Sequence, residues 1–348
     1  MIYLDSAAKT KPLACAIEAF LAAPQGNPSS EHAAGKAARD ALEDAREKIA
    51  ECVGASADKI YFCSTATEAA SWIAKSATEA GYHLHASPFE HHAVLNNIEE
   101  QDKYGSPQLW FRMLANNEVG TVDVDVPNLY KDTDSHPLIA SDATAAMGHI
   151  PIRCSQMKNV GYVFADSIKF GGLPGAAFIV KQNYAPISPL IRGGGQERGM
   201  RSGTENVPAI CAMAAALEWQ TEHMEENTKL LLAMRDVLFR KLSEIEYHRW
   251  NTPLNKPILP HILNISFDGV DAHALTLLLS NEGIMVSAGA ACSNGLNEPS
   301  HVIMAMYNDE ARARSAIRIS LSHDTTVDEC VEAAQKIAEA VAYLRDIS

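Results

Sequence analysis

Apolar and polar positions alternate between helix-like and strand-like patterns over the first half of the chain. Apolar side chains recur every three or four positions over residues 31–53, and segments 67–80 and 90–104 are also helix-like. Short apolar runs of strand length lie among them: KIYFCS, HLHAS, QLWFRM, PLIASD, GYVFAD and AAFIVK. This alternation predicts an α/β fold in which helices cover both faces of a mostly parallel sheet.

The pattern changes near residue 250. Residues 209–246 predict one or two long amphipathic helices, and the proline-rich stretch WNTPLNKPILPH then interrupts the pattern. Strand-like HILNISF and AIRISL follow, with helix-like segments at 272–282 and 327–344. We therefore predict a large domain over 15–250 and a smaller α+β domain formed by 1–14 and 251–348.

Composition and charge restrict the classes of function. A chain of 348 residues that is 47% apolar can bury a substantial core, as a globular enzyme does. The formal net charge of -14 argues against direct binding of nucleic acid, which depends on clustered Lys and Arg. No apolar run is long enough for a membrane span, and the amino terminus lacks the apolar stretch of a signal peptide, so we expect a cytoplasmic protein with no membrane partner.

The cysteines predict neither a disulfide framework nor a metal site. The chain has 7 of them, an odd number, and they are widely scattered without CxxC spacing. Six lie in helix-like or strand-like contexts typical of core positions. Cys292 differs because its surroundings, SAGAACSNG, are small and polar, which is typical of an accessible loop where a thiolate can react.

Two charged residues follow predicted strands at the positions where open α/β folds bind ligands. Asp142 ends PLIASD, and Lys169 comes shortly after GYVFAD. Pyridoxal 5'-phosphate needs such a pair, because a lysine forms its Schiff base and a carboxylate keeps its pyridine nitrogen protonated. Taken alone, the two residues are better explained as a buried ion pair or as solvated charges at strand ends.

Two more segments point toward the same cofactor. FCSTATEAA places small hydroxyl residues between a strand and a helix, where the first backbone N–H groups of the helix can hold a phosphate, although Ser and Thr there are also ordinary helix caps. FEHHAVLNN places His91 and His92 just after a strand. One imidazole there can stack on a cofactor ring and exchange protons near neutral pH, but a histidine pair is more often structural.

Ten segments, in order over nearly the whole chain, match one known family. They are YLDSAAKTKP, GNPSSEH, EHHAVL, NNEVGTV, DAT, IKFGG, RGGGQERGMRSGTENV, HILNISF, SAGAACSNGLNEPSHV and SAIRISL. With them the chain resembles the cysteine desulfurases, class V aminotransferase relatives of the fold-type I pyridoxal-phosphate transferases. The resemblance implies conversion of L-cysteine to L-alanine with a persulfide formed on Cys292 and passed to an acceptor protein.

The resemblance also implies how a homodimer would hold the cofactor. Lys169 would be the Schiff-base lysine, Asp142 the partner of the pyridine nitrogen, and His91 the acid/base stacked on the ring. The residues implied in phosphate binding are Thr67, the backbone of Ala66 and, from the other subunit, Thr204.

The substrate would be held by residues of two further segments. By the same resemblance, Asn117 and Arg318 would bind the carboxylate of L-cysteine, with Asn117 also beside the cofactor. Arg318 lies inside the apolar strand AIRISL, where its guanidinium needs a carboxylate partner from either a substrate or a structural salt bridge. The stretch from Cys292 to Val302 is as long as in those desulfurases whose mobile loop delivers sulfur to partner proteins, which implies direct transfer.

The sequence departs from the family around the cofactor. Ala145 replaces a glutamine beside the ring, and the family's Ser-Gly-His before the lysine reads Asp166, Ser167 and Ile168. A serine and a histidine that bind phosphate are thus missing, Ser167 is a candidate replacement, and the Asp166 carboxylate would repel a phosphate unless it points away. Each lost charge-assisted bond costs roughly 1.5 to 3 kcal/mol, so we expect weak retention of the cofactor.

Three readings follow from this combination. The leading one is a working cysteine desulfurase, because Lys169, Asp142, His91, Arg318 and Cys292 are present together. A second is another pyridoxal-phosphate lyase acting on cysteine or selenocysteine. The third is a non-catalytic scaffold for a sulfur-transfer partner. The sequence leaves the acceptor pathway open among iron–sulfur assembly, RNA thiolation and phosphorothioate modification of DNA.

Overall fold

The computed structural model describes residues 1–98, 107–123, 137–289 and 298–347. The chain divides into two compact units, which we call the large unit (11–114 and 123–222) and the small unit (1–10, 115–122 and 223–348). Residues 223–250 thus cluster with the small unit, whereas the sequence places them in the large domain. The predicted domain bounds remain a prediction.

The helices and strands of the described residues are numbered in chain order. The strands are β1 (Ile2–Tyr3), β2 (Ile60–Cys63), β3 (His83–Ala86), β4 (Gln108–Phe111), β5 (Leu138–Asp142), β6 (Val160–Asp166), β7 (Ala177–Lys181), β8 (His248–Trp250), β9 (Ile262–Phe267), β10 (Ile284–Met285), β11 (Ser287–Ala288) and β12 (Ala316–Ser320). The helices are α1 (Ala14–Ala22), α2 (Ala33–Cys52), α3 (Ala66–Glu79), α4 (His92–Leu95), α5 (Val207–Glu222), α6 (Met224–Leu242), α7 (Ala272–Asn281), α8 (His301–Tyr307), α9 (Glu310–Arg314) and α10 (Val327–Asp346).

A mixed sheet forms the centre of the large unit. Its strand order is β2-β7-β6-β5-β4-β3, with β3 to β6 parallel and with β7 and β2 antiparallel to their neighbours. Every residue of β5 and β6 is buried, which explains their short, mostly apolar runs. The predicted α/β class with a mostly parallel sheet is confirmed, and its six predicted strands all form.

Helix α3 begins directly after β2 and covers the sheet. Thr65 is its N-cap residue, because the Thr65 hydroxyl accepts a hydrogen bond of 3.1 Å from the Glu68 N–H. Its buried side recurs at helical spacing and joins the sheet core through Ala69, Ala70, Trp72, Ile73 and Ala77. The start of α3 is therefore fixed close to the carboxyl end of β6.

Of the helix predicted over 90–104, only His92–Leu95 is helical among the described residues. Helix α4 ends at Leu95, and Asn96–Ile98 are not helical. The side-chain amide of Asn97 donates a hydrogen bond of 2.7 Å to the Ala93 carbonyl, the acceptor that the Asn97 N–H would use in a continuing helix. Residues 99–104 lie outside the described residues.

The small unit has an antiparallel sheet packed against helices. Its strand order is β11-β12-β9-β8, and β1 pairs in parallel with β10. Helix α6 belongs to this unit because Leu231, Met234, Leu238 and Leu242 enter the same buried cluster as β9 and α10. Within the described part of the chain, no helix is long and apolar enough to cross a membrane.

Candidate active site

Asp142 and Lys169 lie at the same edge of the large-unit sheet. Asp142 is the last residue of β5, and Lys169 ends a short 3-10 turn that follows the adjacent parallel strand β6. The Asp142 side chain is only 8% exposed and accepts a hydrogen bond of 2.8 Å from the Thr144 N–H. Burial raises the pKa of Asp142, while the Thr144 hydrogen bonds and the Lys169 charge oppose that shift.

A buried carboxylate that sequence reasoning missed, Glu90, lies in the same unit. Its residue is 0% exposed, and its side chain accepts a hydrogen bond of 2.6 Å from the Met113 N–H just after β4. Burial, with a smaller contribution from the Asp142 charge, raises the pKa of Glu90 to about 8. Its position between a strand and two histidines in FEHH was the available signal.

Glu90→Gln is expected to remove a pH dependence of stability. Because the pKa of folded Glu90 is about 8 against an ordinary 4.5, the folded protein keeps a proton that the unfolded chain releases. The free energy of unfolding should therefore fall as pH rises between these values, by about 3 kcal/mol from this group between pH 6 and pH 9. Denaturant unfolding at the two pH values should show this loss in wild type and not in the variant.

The exposed Glu51 gives a matched control for that experiment. Glu51→Gln removes the same carboxylate from the surface of α2 and should keep the wild-type pH dependence. If the free energy of unfolding fell equally with pH in wild type and in Glu90→Gln, Glu90 would already be ionised in the folded protein at neutral pH.

His91 stands at the start of α4, beside Glu90. Its Nδ1 accepts a hydrogen bond of 3.1 Å from the Ala93 N–H, which requires an unprotonated Nδ1. The neutral ring therefore carries its proton on Nε2.

The first turn of α3 holds side-chain carboxylates where the sequence predicts a phosphate. Asp166, the last residue of β6, accepts a hydrogen bond of 3.0 Å from the Ala66 N–H and one of 3.2 Å from the Ile168 N–H. Burial raises the pKa of Asp166, and the two backbone hydrogen bonds and the Lys169 charge oppose it. An ordinary phosphate site would require the Asp166 carboxylate to point away from the start of the helix. Here it points toward it.

A second acid of the same turn, Glu68, is paired with an arginine. Arg201 Nε lies 2.7 Å from the Glu68 carboxylate, which also accepts hydrogen bonds from the Ser64 N–H and hydroxyl. Ser64, Arg201 and the exposed Thr204 line one cavity of about 260 Å³. Thr204 thus lies near the start of α3 in its own chain.

Ser167, the candidate replacement for the lost phosphate ligands, is fully buried. Its hydroxyl lies so close to Gly172 that a Cβ at position 172 would fall 2.0 Å from it. Within the described ranges that hydroxyl has no hydrogen-bond partner. This hydroxyl could therefore donate a hydrogen bond to a cofactor, which is a proposal.

Arg318 lies in the middle of β12 in the small unit and is 1% exposed. Its Nη2 donates to the Asp5 carboxylate at 2.8 Å, and its Nη1 donates to the Asn117 carbonyl at 2.9 Å. Its Nε–H is buried without a hydrogen-bond partner among the described residues. The guanidinium is thus fixed by Asp5, a partner that sequence reasoning missed because it is 313 positions away.

The predicted nucleophile, Cys292, lies outside the described residues. The six other cysteines are free, and burial raises the pKa of each thiol. They are therefore poor nucleophiles near neutral pH. Within the residues that the structure describes, no group of three or more His, Cys, Asp or Glu side chains could hold a metal ion.

The sequence and the fold are similar to those of known proteins. The family model "Aminotransferase class-V" matches residues 2–111 and 104–332. The "Cysteine desulfurase IscS" of Methanosarcina thermophila is 32% identical, over 100% of this chain and 93% of that protein. The chain belongs to the cysteine desulfurase family.

Solved structures of similar proteins agree with this family. A solved structure named "NIFS-LIKE PROTEIN" has a TM-score of 0.88 and 32% identity, covering 98% of this chain and 99% of that one. A second, "SspA in complex with cysteine", has a TM-score of 0.75 and 26% identity, covering 94% of this chain and 100% of that one. Members of the cysteine desulfurase family are pyridoxal-phosphate enzymes.

The large unit of this desulfurase-family chain fits the ring end of pyridoxal phosphate better than its phosphate end. Asp142 is buried beside a lysine at the sheet edge, the donor set that the pyridine nitrogen and the aldehyde require. At the start of α3, by contrast, the Ala66 N–H is already bonded to a carboxylate. The cofactor therefore fits, with a phosphate subsite that carries an added negative charge.

Proposed function

We propose that the protein is a cysteine desulfurase that uses pyridoxal 5'-phosphate. L-Cysteine and the Cys292 thiol become L-alanine and a Cys292 persulfide, so that the sulfur atom moves to the protein and no external oxidant is needed. The observation that carries this proposal is the pair of Asp142 and Lys169 at adjacent strand ends. Relatives across the full chain length that are named cysteine desulfurases support it.

Three large-unit residues would act on the ring end of the cofactor. When bound, pyridoxal phosphate supplies an electron sink that stabilises negative charge at the substrate Cα. Lys169 would hold the cofactor through Nζ and would move the Cα proton with the same nitrogen. Asp142 would hold the pyridine nitrogen, and His91 would contact the ring and exchange protons.

The phosphate end would use the start of α3. The Thr67 side chain would hold the phosphate together with the Ala66 N–H, which Asp166 would first have to release. Ser167 is a further candidate donor, and Thr204 would reach the phosphate bound to the partner subunit in a homodimer. The exposure of Thr204 in the described chain is consistent with such a contact.

In the small unit, Arg318 is proposed to bind the substrate carboxylate together with Asn117. Asp5 and the Asn117 carbonyl hold two guanidinium nitrogens, so the side chain needs no reorientation on binding. Its buried Nε–H has no hydrogen-bond partner in the described chain, as expected for a group that binds an anionic ligand. The carboxylate would thereby be bound in a fixed orientation.

Cys292 as a thiolate would attack the substrate sulfur, and the persulfide would then pass to an acceptor protein. We further propose that the homodimer works in the cytoplasm. The acidic net charge of -14 favours delivery through a protein rather than direct contact with nucleic acid.

Purified protein with added pyridoxal phosphate and L-cysteine should form L-alanine and carry a persulfide detectable by mass spectrometry on the Cys292 peptide. Cys292→Ala should lose that label, whereas Cys15→Ala, a change at a partly buried cysteine in α1, should keep it. Turnover of selenocysteine with full activity in Cys292→Ala would instead indicate a selenocysteine or other cysteine lyase.

A non-catalytic scaffold remains the second candidate because Asp166 occupies the Ala66 N–H at the phosphate end. This alternative predicts no alanine and no cofactor absorbance even with excess pyridoxal phosphate. Under those conditions the same chain would still bind a sulfur-transfer partner.

A further inference from the structure

The first N–H group of α3 has a different hydrogen-bond partner from that in an ordinary phosphate site. The first N–H groups of a helix lack partners within the helix and attract anions, so they commonly bind phosphate. Here one oxygen of the Asp166 carboxylate accepts a hydrogen bond of 3.0 Å from the Ala66 N–H, and the other oxygen accepts one from the Ile168 N–H. Both carboxylate oxygens are therefore committed, and the first donor of α3 is taken.

A phosphate at the same place would meet that carboxylate at close range. Asp166 is buried, so water screens the repulsion between the two anions poorly. Arg201, which reaches this turn from a distant part of the chain, is paired with Glu68. Ile168 adds no donor from its side chain. Phosphate binding would thus require the hydrogen bond between the Ala66 N–H and Asp166 to break.

We propose that Asp166 removes the usual advantage of the phosphate group, so that this protein binds pyridoxal, the dephosphorylated cofactor, about as tightly as pyridoxal phosphate. The inference rests on the proposed function, because it takes Lys169 and Asp142 to hold the ring of either compound. Asp166 is then a residue that determines cofactor specificity rather than a catalytic one.

Binding of the two compounds can be compared directly. Equilibrium dialysis of wild type, Asp166→Ser and Asp166→Asn against pyridoxal phosphate and against pyridoxal gives the ratio of their two Kd values. Wild type should give a ratio near one. Asp166→Ser should lower the Kd of pyridoxal phosphate by about ten-fold or more, as expected for a restored hydrogen bond to a charged group. The Kd of pyridoxal should stay unchanged.

Asp166→Asn controls for folding, and a further variant, Asp44→Ser, controls for charge. Asp166→Asn keeps an acceptor oxygen for the Ala66 N–H and removes the charge, so it should shift the ratio in the same direction even if Asp166→Ser unfolds. Asp44→Ser, at an exposed position in α2, changes the net charge equally and should leave the ratio at the wild-type value.

The outcomes separate this inference from the proposed function. Wild type that binds pyridoxal phosphate a hundred-fold more tightly than pyridoxal, or an unchanged ratio in both Asp166 variants, would overturn the role of Asp166 alone. If no variant bound either compound, the cofactor function itself would fail, and this inference would fall with it.

Discussion

Lys169→Ala is expected to slow formation of L-alanine from L-cysteine by about a thousand-fold or more, in the range typical for loss of a general acid–base group. The same change should abolish the visible absorbance of cofactor attached to the protein. The physical reason is that one amine carries two roles in the proposal, attachment of the cofactor and transfer of the Cα proton. The measurement is alanine formation with excess pyridoxal phosphate, beside an absorbance spectrum.

Lys181 provides the matched control. It ends β7, which runs antiparallel to β6, so it lies at the opposite edge of the sheet from Lys169. Partial burial lowers the pKa of Lys181, which raises the share of its amine that is unprotonated. Lys181→Ala should nevertheless retain wild-type turnover. Unchanged activity in Lys169→Ala, or its loss in Lys181→Ala, would contradict the assignment.

The sequence predicted the large-unit sheet well because the signal there is local. In β5 and β6 every residue is buried, so each strand appears as a short, mostly apolar run. The position of Asp142 and Lys169 then follows from topology, since the carboxyl ends of parallel strands meet at one edge. Helix α4 was predicted too long because its end depends on one side-chain hydrogen bond, from Asn97 to the Ala93 carbonyl.

The contacts around the candidate site were harder to predict because they join distant parts of the chain. Asp166 reaches Ala66 across 100 positions, and Glu90 reaches Met113 across 23. Sequence patterns identify a carboxylate but not the backbone N–H that it will accept from. The departure at Asp166 was visible in the sequence, whereas its bond to the first N–H of α3 required the structure.

Arg318→Lys is expected to lower kcat/KM for L-cysteine by about a hundred-fold, within the cost of disrupting a buried charge pair. Lysine keeps the positive charge that pairs with Asp5 but presents a single nitrogen in place of the planar guanidinium. It therefore loses the Nε–H that has no partner in the described chain and the geometry for binding a carboxylate through two bonds. Most of the loss should lie in KM, because the carboxylate is bound before and during the reaction.

Arg249→Lys separates substrate binding from a purely structural role. Arg249 lies in the same unit and pairs with two carboxylates, Asp268 and Asp309, at a partly exposed position. That variant should keep the wild-type KM. If Arg318→Lys lowered the unfolding midpoint while kcat/KM stayed near wild type, its guanidinium would serve only the Asp5 pair. A raised KM with an unchanged midpoint would instead support a carboxylate-binding arginine that Asp5 and the Asn117 carbonyl hold in position.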